Sequence, residues 1–317
     1  MKLVSIVLSF YNEEENIEKL FEELDKVEKS VSRLVEFEYV CVNDGSSDST
    51  LLKLNDIQKT RNNVNIFHLY RNFGHEVAMT AGMDNASGDC VIFMDGDLQH
   101  PPYLLEALIK SWLSGNKVVL TKKKNNGQDK SKVYRVLSNL FHIFLNKISD
   151  INIPKDFPDF RLVDFKYIEM LKKIDEQDRM FRGLLNYIGI SAYDIIEFDV
   201  PERFRGTTKY NFSSSFSLAI DSILQFSIKP LRLAIFLGLT TITISIFLAL
   251  STLIQYIFYD VERTGYTTTL LVVLFLGSSQ LIVLGIIGEY IGRIHIESKK
   301  RPLYFGELIK SEQKNNK

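Results

Sequence analysis

The chain has 317 residues, 45% hydrophobic and 24% charged, with 38 Lys and Arg against 39 Asp and Glu. That length supports one large domain or two smaller ones with ample core, and the charge content excludes wholesale disorder. A net charge of −1 excludes a globally basic nucleic-acid binder, and two cysteines, Cys41 and Cys90, cannot build a disulfide framework. Both cysteines sit in short apolar runs, which predicts buried, reduced thiols.

Short apolar runs alternate with longer amphipathic ones through the first 120 residues. Leu3–Leu8, Glu38–Val42, Val64–Leu69, Cys90–Met94 and Lys117–Leu120 predict strands. Helical periodicity falls between them at about 14–30, 48–60, 75–87 and 102–114. This alternation predicts an α/β fold with a mostly parallel sheet covered on both faces. Ligands of such sheets bind beyond the carboxyl ends of the strands, so the chemistry is expected in the loop after each strand.

Ser9-Phe10-Tyr11-Asn12-Glu13 comes after the first strand and Asn43-Asp44-Gly45-Ser46-Ser47-Asp48 after the second. Arg71-Asn72-Phe73-Gly74 comes after the third, and Asp95-Gly96-Asp97-Leu98-Gln99-His100-Pro101-Pro102 after the fourth. Each alone reads as an ordinary turn, with Asp48 or Asp97 near a helix start. Four of them converging on one sheet edge read as a site. Asp95 and Asp97, two apart around a small residue, are placed to reach one divalent cation. Hard oxygen ligands suit Mg²⁺ or Mn²⁺, which would bridge the phosphates of a nucleoside diphosphate. A Walker-type loop and a G-x-G-x-x-G after strand one are both absent, against a P-loop NTPase or a dinucleotide enzyme. The five histidines have no metal-ligand spacing, against zinc chemistry. Two of them, His75 and His100, lie beside the site, either as surface caps or as ligand contacts.

The tail differs in kind. Leu233–Tyr259 and Thr264–Gly288 contain no charged residue, and each exceeds the roughly 20 residues needed to cross a bilayer. Lys229 and Arg232 precede the first stretch, and Arg293, Lys299, Lys300 and Arg301 come after the second. The loop between, Asp260–Thr264, has one Arg among two acids, so the positive-inside rule puts both termini and the front domain in the cytoplasm. Leu3–Phe10 is too short for the apolar core of a secretory leader. Ser213–Lys229 has apolar residues at helical spacing and predicts an amphipathic helix on the cytoplasmic leaflet, with a core helix of the front domain as the alternative.

Seven segments carry a family resemblance: YNEEENI (11–17), VNDGSSDST (42–50), RNFGHEVAMTAG (71–82), DGDLQHPP (95–102), DFRLVD (159–164), RFRGTTKYN (203–211) and GIIGEYIGR (285–293). In these the chain resembles family 2 glycosyltransferases of the GT-A fold. More narrowly, it resembles the polyprenyl-phosphate enzymes, dolichol-phosphate mannose synthase and the bactoprenol glucosyltransferases of O-antigen modification. Ser9 stands where many relatives have Pro, and His75 where Lys is common. The resemblance implies a GT-A (Rossmann-like) domain over 1–212, an amphipathic juxtamembrane helix over 213–230, two transmembrane helices over 231–293 and a cytoplasmic tail over 294–317. It places the protein in a bacterial inner membrane, transferring one sugar, glucose favoured, from a nucleotide-diphosphate sugar to a polyprenyl (undecaprenyl) phosphate.

Residue by residue, the resemblance implies that Ser9, Tyr11, Glu13 and Asp44 hold the donor nucleotide and that Arg71 supports its pocket. Asp95, Asp97 and Gln99 would bind the metal and the sugar diphosphate. Arg205 and Lys209 would grip the lipid phosphate, with Lys122 and Arg135 as further candidates. Asp159 occupies the position proposed as the base in relatives. Its alternative role is to organise Arg161 and the acceptor loop through an ion pair. A phosphate monoester has a second pKa of about 6, so this nucleophile is already largely ionised and needs alignment more than deprotonation. Gly285, Gly288 and Gly292 suggest helix association and a homo-oligomer, with relief of crowding between the two spans of one subunit as the alternative for Gly288. A processive polysaccharide synthase would need more spans and a Q-x-x-R-W motif, and the only Trp, Trp112, is not in one. A non-catalytic membrane scaffold is the other rival, and the intact acidic and basic motifs argue against it.

The Arg205-Gly206-Thr207-Thr208-Lys209 loop generates a first prediction. A hydrogen bond to a charged group contributes roughly 1.5–3 kcal/mol, so Arg205→Ala should weaken use of the lipid about ten- to a hundredfold. Arg205→Lys should restore only part of this, because Lys lacks the planar fork that grips phosphate oxygens. Nucleotide–sugar binding measured by calorimetry without lipid should hardly change. Loss of donor binding with lipid affinity intact would move the loop to the donor site.

Overall fold

Period-2 burial in the first strand sets up the two layers of the molecule. In β1 (Lys2–Phe10), Val4, Ile6, Leu8 and Phe10 point into one core and Val7 into the other. The computed structural model describes residues 1–124, 157–177, 179, 181–190, 192–199, 227, 229–259 and 265–309. After β1 come α1 (Ile17–Val31), β2 (Val35–Asn43), α2 (Thr50–Thr60), β3 (Val64–Leu69) and α3 (His75–Asn85). Next come β4 (Cys90–Asp95), α4 (Leu104–Leu113) and β5 (Val118–Lys123), so all five predicted strands and four predicted helices are present. Helix α1 buries Ile17, Leu20, Phe21, Leu24, Val27 and Val31, a three-and-four spacing that faces one stripe to the sheet. Each such side chain contributes roughly 1.5–3 kcal/mol when fully buried. Cys41 and Cys90 are free and buried as expected, and burial pushes both thiols above their ordinary range.

Beyond β5 the chain forms β6 (Arg161–Asp164), α5 (Phe165–Lys172), α6 (Phe181–Tyr187) and β7 (Asp194–Phe198). It then forms two long apolar helices, α7 (Lys229–Tyr259) and α8 (Tyr266–Ser298), and a final strand, β8 (Gly306–Ile309). The sheet order is β7-β5-β6-β4-β1-β2-β3-β8. Strands β1, β2, β3 and β4 pair in parallel, and β5 with β7, while β6 and β8 run antiparallel to their neighbours.

The described residues up to 199 form one unit together with 301–309, and those of 227–300 form the other. Within the second, α7 and α8 are each long and apolar enough to cross a membrane, with candidate spans Ala234–Ser251 and Val272–Ser298. Phe236, Phe247, Phe258 and Leu281 stand largely exposed along them. Tyr290 donates to the Ser227 carbonyl at 2.6 Å, and Glu289 pairs with Arg293 at 3.3 Å. The expected interfacial helix over 213–230 lies, apart from Ser227 and the start of α7, outside the described residues.

Strand β8, like β6 and β7, is an element that sequence patterning missed. Residues read as a tail return to the first unit and cover the outer edge of β3, with Leu69 opposite Gly306 and Ile66 opposite Ile309. Gln58 Nε2 donates to the carbonyls of Val64 (3.1 Å) and Ile309 (2.7 Å). The Tyr304 hydroxyl donates to Asp84, its ring meets Phe67 edge-on at 5.6 Å, and Tyr70 N–H donates to the Phe305 carbonyl. A Cβ on Gly306 would lie 2.5 Å from the His68 carbonyl oxygen, so only glycine allows this approach. Gly306→Val should therefore cost about 1–3 kcal/mol and release the β8 amides to rapid hydrogen exchange. Unchanged protection would show that the strand tolerates the side chain.

Candidate active site

Register brings the loops together. Ser9 stands opposite both Val42 and Asp95, so the chain leaves β1, β2 and β4 at nearly the same level. Strand β6 is antiparallel to β4 and β5, which puts the residues before it, Pro158 and Asp159, at that same edge beside Lys123. A cleft of about 510 Å³ opens there. Ser9, Tyr11 and Glu13 line it from the β1 loop, Asp44 from β2, and Asn72, Gly74 and His75 from the start of α3. Asp95, Asp97, Gln99 and His100 line it from the β4 loop, and Lys123, Pro158 and Asp159 close the far side.

The first two loops are stitched by short polar side chains. Asn12 N–H donates to Ser46 Oγ (3.0 Å), Glu13 N–H to Thr50 Oγ1 (3.0 Å) and Glu14 N–H to Asp48 (3.2 Å). In return Ser47 N–H donates to Asn12 Oδ1 (2.9 Å) and Ser49 N–H to Glu14 (2.8 Å). Asn12 holds a left-handed conformation, φ 55°, which Asn tolerates better than most residues. Asp44 fixes the third loop, because its two carboxylate oxygens accept from Phe73 N–H (2.7 Å) and Gly74 N–H (3.0 Å). Burial raises the Asp44 pKa, and those two amides oppose the rise. Gly45, at φ +61°, packs so closely on this loop that a Cβ would lie 2.2 Å from the Arg71 carbonyl carbon.

Carboxylates dominate the cleft. Asp95 Oδ1 is buried with no hydrogen-bond partner, while Asp97 Oδ1 accepts from Gln99 N–H at 3.0 Å. Among the described residues no three His, Cys, Asp or Glu side chains gather as a metal nest. Two carboxylates with an unsatisfied oxygen fit the way Mg²⁺ is held, by one or two protein carboxylates with substrate phosphates supplying the rest. Asp159 pairs with the buried guanidinium of Arg161, which also donates to the Pro158 carbonyl at 3.2 Å. His75 sits between the two groups, with Nδ1 3.6 Å from Asp95, Nε2 3.7 Å from Asp159 and Nδ1 3.3 Å from Ser9 Oγ. Burial by itself would lower its pKa, but the Asp95 and Asp159 carboxylates outweigh it and hold the imidazole up at about 9. His100 is 3% exposed, and burial holds it below the ordinary histidine range.

Most of the expected site residues meet here: Ser9, Tyr11, Glu13, Asp44, Asp95, Asp97, Gln99 and Asp159. Arg71 does not line the cleft, since its guanidinium lies 4.2 Å over the Phe73 ring. Lys122, expected as a candidate for the acceptor phosphate, does not line the cleft either. It pairs with Glu197 on β7 at 3.3 Å, and Lys123 lines the cleft instead, because consecutive strand residues face opposite sides. Arg135, Arg205 and Lys209 lie outside the described residues. His75 and His100 prove to be cleft residues rather than surface caps.

An α/β sheet with an acidic cleft at its carboxyl edge, succeeded by an apolar helix pair, has a match in known families. Residues 5–171 match the glycosyl transferase family 2 model and residues 229–294 the GtrB C-terminal hairpin. The chain belongs to glycosyl transferase family 2 and is a glycosyltransferase. It is 36% identical to the bactoprenol glucosyl transferase of Shigella phage SfV, over 98% of this chain and 99% of that one. It is 35% identical to the prophage bactoprenol glucosyl transferase homolog of Escherichia coli K12, over 97% and 99%. Mannosyl-3-phosphoglycerate synthase from Rubrobacter xylanophilus, at 17% identity, shares the fold with a TM-score of 0.51 over 71% of this chain and 73% of that one.

Because Asp44 holds two loop amides at once, Asp44→Ala leaves two donors without partners. Nucleotide affinity measured by calorimetry should fall at least about tenfold, from the loss of roughly 1–3 kcal/mol of hydrogen bonding. Hydrogen exchange at Phe73 and Gly74 should quicken, and Asp44→Asn, with one acceptor, should fall between. Normal exchange in the Ala variant would assign Asp44 to ligand contact alone.

Proposed function

We propose that this glycosyltransferase moves one sugar from a nucleotide-diphosphate sugar to a polyprenyl phosphate, with glucose and the undecaprenyl (bactoprenol) lipid favoured. Similarity to bactoprenol glucosyl transferases over almost the full chain, helix pair included, supports this reading. The observation that carries the chemistry is the buried Asp95 Oδ1, which has no hydrogen bond, beside Asp97 in a cleft at the sheet's carboxyl edge. Asp95 and Asp97, with Gln99 adjacent, would hold Mg²⁺ or Mn²⁺. When bound, the ion offsets negative charge growing on the departing nucleoside diphosphate.

Tyr11, Glu13 and Asp44 line the end of the cleft proposed for the nucleotide. An acceptor phosphate oxygen attacks the anomeric carbon on the face opposite the diphosphate, and the bond to the diphosphate breaks with inversion. The acceptor is already ionised, so this attack requires no strong base. Engagement of Asp159 with Arg161, and its approach to His75, supports a positioning role for that carboxylate. Arg205 and Lys209 remain the proposed grip on the acceptor phosphate.

Pairing of β8 with β3 puts residues on both sides of the helix pair in one sheet, which supports two crossings with both flanks on one side. The Lys and Arg flanks support the cytoplasm as that side. Gly285, Gly288 and Gly292, small residues at a spacing that lets apolar helices approach closely, support the homo-oligomer reading.

The direct test is incubation with radiolabelled sugar nucleotides and polyprenyl phosphate, then lipid extraction. A single-sugar lipid is expected, whereas polymer or no lipid product overturns the reading. Asp95→Ala and Asp97→Ala should each lower turnover at least about a hundredfold, in line with removal of a main electrostatic stabiliser, and EDTA should do the same. Full turnover in EDTA would sink the metal assignment.

A further inference from the structure

Two acidic residues make a metal site only if the backbone between them is held in one shape, and the β4 loop has little ladder to hold it. Strand β6 pairs with β4 from Cys90 to Phe93 and no further. Gly96 N–H donates back to the Ser9 carbonyl at 3.1 Å, so the preceding amide, that of Asp95, points to the opposite side, past the end of β6. There it would be a buried donor with no strand to accept it. It donates instead to Nδ1 of His100, at 3.0 Å. A backbone N–H only donates, so Nδ1 must be the unprotonated nitrogen and the ring carries its proton on Nε2.

The ring is itself clamped. His100 stacks on Phe160, with centroids 5.1 Å apart and planes 17° from parallel. Phe160 is fully buried and meets Phe198 edge-on at 6.4 Å. Phe160 also directly succeeds Asp159, so one imidazole ties the Asp95–Asp97 turn to the segment carrying that further cleft carboxylate. Leu98, between Asp97 and His100, is held at φ +62°, a conformation costly for a branched residue. Such a turn persists only when its surroundings over-determine it.

We propose that His100 is a positioning residue that presets the Asp95–Asp97 turn for a divalent cation, by accepting the Asp95 amide while stacked on Phe160. The inference rests on the metal reading of that turn. It predicts that the acceptor atom, rather than the size or aromaticity of the side chain, sets metal affinity.

The test uses the full-length protein in detergent and reads Mn²⁺ binding in the presence of UDP, by electron paramagnetic resonance of the free ion, alongside thermal melting. His100→Phe keeps the stack on Phe160 but removes the acceptor. It should weaken Mn²⁺ binding about tenfold, the scale of one lost hydrogen bond, with only the modest drop in melting that one unpaired amide causes. His100→Asn removes the ring but returns an acceptor near the Nδ1 position. It should hold Mn²⁺ better than the Phe variant even if it melts lower. If both variants bind Mn²⁺ like the parent, or if affinity simply tracks melting temperature, His100 is only a core residue and the assignment falls. If the parent takes up no Mn²⁺ while both Asp95→Ala and the parent turn over equally, the metal reading fails and this inference falls with it.

Discussion

The parallel pairing of β1 with β2 on one side and β4 on the other is the constraint on which the site depends. Ser9 stands level with Val42 and Asp95, so the loops carrying Tyr11, Asp44 and Asp97 start from one line. A slip of one residue in either ladder would turn Asp95 to the opposite face of the sheet and exchange its core residues for solvent. The two apolar layers resist such a slip. Val4, Ile6, Leu8 and Phe10 are wedged under α1 and α4, and Val7 lies under α3. Hydrophobic packing, which has no chemistry of its own, thereby fixes where the reactive groups stand.

Charge is the second organising problem. Glu13, Asp44, Asp95, Asp97 and Asp159 all line a cleft proposed for an anionic donor and an anionic acceptor. The fold disposes of most of this negative charge internally. Asp44 is held by two amides, Asp159 by Arg161, and Asp97 caps the Gln99 amide. One oxygen of Asp95 is left without a hydrogen bond, with the His75 imidazole 3.6 Å away. An unsatisfied buried carboxylate oxygen is expensive in isolation, and a bound cation relieves that cost. The same arithmetic explains why a cation at position 75 is compatible with the site: it stands between Asp95 and Asp159, facing two carboxylates.

The chain that comes after the two apolar helices completes the sheet of the first unit. Residues 304–309 seal the edge of β3 and bond directly to Tyr70, the residue before the Arg71–Gly74 loop. That loop is the one Asp44 holds. An edge strand left open would expose unpaired donors and acceptors to other chains. Here the segment after α8 both covers the edge and steadies the base of a loop in the proposed donor site.

The amino-acid sequence by itself determined the alternation of strands and helices through residue 120, the four loops of the acidic edge, and the two apolar helices. Each of these signals is local: a period, a turn residue, or an unbroken apolar run. Tertiary structure alone decided that Lys123 rather than Lys122 enters the cleft, because that depends on which face of β5 meets the sheet's neighbours. It alone revealed β8, a four-residue strand whose partner lies some 240 positions earlier and whose own pattern carries no period. It also decided the roles of His75 and His100, which sequence left open between caps and contacts. A histidine's role depends on the carboxylates and amides that surround it, and those come from distant strands.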